Sequence, residues 1–114
     1  MSLNAVRANF ALFSGDTPLL QIPITDADGT AVDLTGYTVS IALHLSNQSS
    51  SRLLWRHNAT LAAQSTQAGV CTLQLAAADT ESEGLHYYEI RATDGVNVNI
   101  TVAYGIITIQ SSGA

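Results

Sequence analysis

Four acidic residues crowd one glycine in the segment LAAADTESEGLHYYEIRATDG: Asp79, Glu81, Glu83 and Glu89 stand around Gly84. Carboxylates set apart by a fold can act as acid and base in glycoside cleavage, or they can ligate a hard cation. On a solvated turn the same residues only shape a corner. Histidine could supply a base or a metal ligand, and the chain has His44, His57 and His86. They fall on three different predicted strands, whereas metal sites favour spacings such as His-x-His or Cys-x2-Cys. The run DADG at residues 26–29 resembles the start of a calcium loop. Such a loop needs a bidentate Glu at its twelfth position, which here is Tyr37, so DADG reads as a hairpin turn. No Gly-x-Ser-x-Gly elbow and no glycine-rich phosphate loop occurs. No catalytic, cofactor-binding or metal-binding residue is assigned, no cofactor is expected, and the chain reads as a non-enzyme.

The elements that would position these groups are strands. In YTVSIALHL, Tyr37, Val39, Ile41, Leu43 and Leu45 share one face, while Thr38, Ser40, Ala42 and His44 share the other. Such alternation describes a strand with one face in a core. NVNITVAY repeats it, with Val98, Ile100, Val102 and Tyr104 inward; after Gly105 the phase slips and Ile107 and Ile109 take over, which suggests a bulge at the glycine. Shorter strands are expected in NFALF, LLQIPIT, RLLWRH, GVCTLQLA and HYYEIRAT, and TLAAQS is marginal. RLLWRH sets Leu53, Trp55 and His57 on one face, and Trp55 is expected in the core. DADGT and TDGVN read as tight turns and SNQSSS as a polar loop. Eight or so short strands with turns every ten residues predict an all-β sandwich of 7–9 antiparallel strands, with one short helical turn near residues 77–83. Asp79 is the candidate N-cap of that turn, with the acids around it in solvent. One domain spans 1–114, with 1–8 expected as a flexible lead-in.

Two residues stand out for interaction. Pro23 lacks the N–H that a central strand must donate, so its strand belongs at a sheet edge. Tyr87 alternates outward on HYYEIRAT. Cys71 shares a face with Leu73 and Leu75 and reads as a buried, inert thiol that no second cysteine can pair. Composition narrows the partners. Charged residues are only 11% of the chain, against roughly 25% in a typical domain. Lysine is absent, the net charge is −5, and the four arginines form no basic stripe. Binding to phosphate backbones or anionic membranes is therefore not expected. No apolar run approaches the roughly 18 residues of a membrane span, and no secretory leader opens the sequence. Asn47, Asn58 and Asn99 each open an Asn-x-Ser/Thr triplet and are read as turn or strand residues.

Three segments in order resemble the immunoglobulin-like domains of tailed-bacteriophage virion proteins, such as the N-terminal domain of baseplate upper proteins. They are VDLTGYTVSIALHL, GVCTLQLAAADT and GLHYYEIRATDG, and the match runs over residues 18–109. The resemblance implies an immunoglobulin-like sandwich acting as a non-catalytic structural component of a tail or baseplate. It implies localisation in the virion after synthesis in the bacterial cytoplasm. Partners would be other virion proteins or further copies of the chain, meeting through sheet edges or faces. The alternatives are a carbohydrate- or host-surface-binding module on a tail and a secreted adhesion-type domain.

Overall fold

The computed structural model describes residues 6–26, 28–96 and 99–111. Among these, nine strands and one turn of 3-10 helix follow in order. β1 is Val6–Arg7, β2 Phe10–Phe13, β3 Leu19–Pro23, β4 Thr38–His44 and β5 Leu53–Asn58. β6 is Thr60–Leu61, β7 Val70–Gln74, the 3-10 helix Ala77–Thr80, β8 Gly84–Thr93 and β9 Asn99–Gln110. The larger sheet runs β5-β4-β8-β9, with β1 and β2 both lying along β9; the smaller runs β3-β7-β6. The antiparallel set β5-β4-β8-β9 packed against the antiparallel set β3-β7-β6 makes an immunoglobulin-like β-sandwich. The expected all-antiparallel pairing is corrected in one place. β1 and β2 pair parallel to β9, Val6 opposite Ala103 and Phe10 opposite Ile107.

The core follows the alternation. Val39, Ile41 and Leu43 of β4, Tyr88, Ile90 and Ala92 of β8, and Cys71, Leu73 and Leu75 at β7 are buried together. Ile22, Ile24, Val32 and Leu34 close the sandwich from the β3 side. Leu45 does not join its predicted face. The β4–β5 register shifts at Leu43/His44, β4 stops, and Leu45 is exposed. The phase slip in β9 lies three residues earlier than the glycine suggested. Ile90 pairs with Ala103 and Arg91 with Thr101, so Val102 is the extra residue of a bulge. Tyr104 is thereby turned away from the core to a half-buried place opposite Glu89. Val98 lies outside the described residues.

Gly105 has a different task. A Cβ there would collide with the main chain of Ala8, so the glycine lets the first strand lie against β9 where β1 gives way to β2. Ala8 N–H donates to the Tyr104 carbonyl at 2.9 Å, and the Ile106 N–H donates to Asn9 Oδ1 at 2.9 Å. From the middle of the core, the Tyr88 hydroxyl donates to the Ala8 carbonyl at 2.6 Å. Of the lead-in expected over residues 1–8, residues 1–5 lie outside the described residues, while Val6, Arg7 and Ala8 are paired to β9.

Candidate functional site

The acidic corner is built from β7, the 3-10 turn and β5. Asp79 is not the N-cap of the turn. Ala76 holds that place and has no side chain that could cap. Asp79 sits three residues on, and its Oδ2 accepts the Ala76 N–H at 2.8 Å, which is the return half of a capping box. The reason lies across the sandwich. Asp79 Oδ1 is 2.9 Å from His57 Nε2, and the Asp79 carbonyl accepts the Trp55 indole N–H at 3.0 Å. The Trp55 and His57 rings stack with centroids 4.8 Å apart. Asp79 is therefore withdrawn from solvent, contrary to expectation, while Glu81 and Glu83 are exposed. Burial pushes the Asp79 carboxyl up, but the hydrogen bonds from His57 and Ala76, with the His57 charge, outweigh it and leave the pKa below the ordinary value. The pair has the residue types of an acid–base dyad. Its bonds run to a cap and a stacked ring, which makes it a clasp between β5 and the corner. Trp55 is only half-buried, yet it packs on the core as expected.

His86 is buried, with Nδ1 2.9 Å from the His44 carbonyl and Nε2 2.6 Å from the Ser82 carbonyl. It bridges the end of β4 to the corner. His44 places Nδ1 2.8 Å from the Ser51 carbonyl. The bonded histidine ring nitrogens thus go to separate partners, and among the described residues no group of three or more His, Cys, Asp or Glu is placed to hold a metal. Asp26 is spent on its own turn: Oδ1 accepts the N–H groups of Asp28 at 2.9 Å and Thr30 at 3.0 Å. Cys71 is fully buried, and burial pushes its thiol up to about 11.

Tyr87 lies on the outward face of β8, half-buried, its ring edge-on to His44 at 5.5 Å. Burial and the neighbouring Glu89 carboxylate push its phenol up. The residue points away from the core, but its ring is engaged by its neighbour.

Pro23 ends β3, and β3 is an edge strand among the described residues. The ladder explains why proline is tolerated. Ile24 N–H bonds to the Gly69 carbonyl and Leu75 N–H to the Pro18 carbonyl, with an unbroken register between them. Antiparallel bonding alternates, so Leu20 and Ile22 bond to β7 while Leu19, Gln21 and Pro23 point their main-chain groups outward. The missing N–H falls on the free side. Along this edge opens a cleft of about 500 Å³. Ile41, Tyr88 and Ile90, all buried, form its floor, Ala8 and Phe10 line it from β2 and the link before it, and Gln21 and Pro23 line it on the β3 side. In the usual sandwich a further strand flanks the position of β3; here, among the described residues, the cleft takes that place. The missing N–H marked Pro23 as an edge residue, but nothing in the sequence marked the cleft, because its walls come from five separate strands and the link before β2.

No family model matches the chain, and no curated protein does. Among solved structures, the fibronectin(III)-like modules of Clostridium thermocellum CbhA are similar in fold, with 14% identity, 97% of this chain and 96% of that chain covered, and a TM-score of 0.48.

Proposed function

We propose that this chain is a non-catalytic assembly module of a tailed-phage virion, placed in the tail or baseplate and made in the bacterial cytoplasm. The observation that carries the reading is the ordered set VDLTGYTVSIALHL, GVCTLQLAAADT and GLHYYEIRATDG. These segments fall on β4, on β7 with its 3-10 turn, and on β8, the centre of the sandwich. Support also comes from what the polar groups do. Asp79, His57, His86 and Asp26 are bonded into turns and clasps, which is structural work. A surface with little charge and an open edge suits burial against other protein. Partners are other virion proteins or further copies of the chain, without nucleic acid or membrane. Mass spectrometry of purified virions from a host carrying the gene tests the reading. The protein is expected at fixed stoichiometry with tail or baseplate proteins; its absence from intact particles sinks the proposal. Saturable binding to a glycan array would favour a host-surface role instead.

A further inference from the structure

We propose that the cleft beside β3 is a seat for one extended segment of a partner polypeptide, added as a strand along Leu19 and Gln21. This inference rests on the assembly reading and specifies the chemistry of the partner. Strand addition needs unpaired main-chain groups in a row, and pockets for alternate side chains beside them. Among the described residues both are present together. The outward N–H and C=O groups of Leu19 and Gln21 lie where Gln21 and Pro23 line the cleft, so the open edge and the cleft share one mouth. Beneath, the floor is apolar. Its one ionisable side chain, Tyr88, has its hydroxyl bonded to Ala8. The inward side chains of the added strand must therefore be uncharged and aliphatic. Among the described residues the larger sheet extends to β9, β1 and β2, while the smaller stops at β3, so the unmatched width is on this side.

Charge sets the flanks. Asp16 is exposed before β3 and Asp28 after it, in a chain of net charge −5 without lysine. A segment with basic residues at both ends complements them. A second copy of β3 fits poorly. Its Leu20 and Ile22 are committed to its own core and would leave the cleft empty, and its acidic flanks would face these. Pro23 limits the ladder at its far end, which leaves Leu19 and Gln21 as the donors of β3.

The test uses the full chain and the acetylated peptide Lys-Thr-Val-Thr-Leu-Thr-Lys, whose Val and Leu share one face. Titration calorimetry is expected to give saturable one-to-one binding that weakens with added salt. Amide exchange is expected to slow by about tenfold at Leu19 and Gln21, with Leu20 and Ile22, already bonded to β7, unchanged. Gln21→Pro removes an outward donor without touching the β7 ladder and is expected to weaken binding by about tenfold. Pro23→Val supplies a donor and is expected to tighten it. No binding, or binding without protection of the Gln21 amide, overturns the proposal. So does a dimer by sedimentation in which the Leu19 and Gln21 amides are already protected, because the occupant is then a second copy. A peptide that binds a protein missing from virions would sink the virion reading and leave this one standing.

Discussion

Single side chains join distant parts of this chain, and their removal has readable consequences. The Tyr88 hydroxyl reaches across the core to the carbonyl of Ala8. Tyr88→Phe leaves that acceptor without its partner and is expected to cost about 1–2 kcal/mol, read as a lowered urea midpoint with an unchanged slope. Asp79 gives a pH dependence with a defined sign. Its carboxyl is held below the ordinary value in the fold. Its stabilising effect is therefore present above the unfolded value of about 3.9 and is lost as pH falls from there through the folded value. The stability gap between the natural chain and Asp79→Asn is expected to shrink over that acid range in urea titrations taken at successive pH. Cys71 behaves oppositely to a reactive thiol. With its pKa pushed up to about 11 and no exposed surface, it is expected to resist iodoacetamide at pH 8 until urea opens the sandwich. Its burial was legible, because period-2 alternation alone puts it beside Leu73. The partners of Asp79 were not legible, because His57 and Trp55 lie on another strand.

At the scale of elements, alternation located β4, β7 and β8 well, since one buried face leaves an every-other-residue record. β9 shows where that record misleads. The slip between Val102 and Ala103 is a bulge in the β8 pairing, while Gly105 answers a different need, the approach of the first strand. Gly105→Ala is expected to push the chain at Ala8 off β9 and cost about 1–3 kcal/mol, as overpacking does. Faster amide exchange at Ala8 and Ile106, whose N–H groups bond across this junction, is the accompanying readout. β1 was invisible in the sequence. Two residues carry no period, and their pairing depends wholly on Ala103 and Tyr104, nearly a chain length away.

Over the whole molecule, closure joins the first strands to the last, contacts nearly a chain length apart in sequence. Folding in the millisecond-to-second range is expected, as for other sandwiches dominated by non-local pairing. If the first strand docks after the transition state, Tyr88→Phe is expected to raise the unfolding rate while scarcely altering the folding rate in stopped-flow chevrons. The sequence by itself determined the fold class, the β4–β7–β8 core and the edge position of Pro23. Each of these follows from local rules: side-chain period, turn residues and the missing N–H of proline. Only the tertiary structure decided that β1 and β2 run parallel to β9, that Asp79 clasps His57, and that a cleft lies along β3. These depend on which strands become neighbours, a pairing between distant segments that no local pattern encodes.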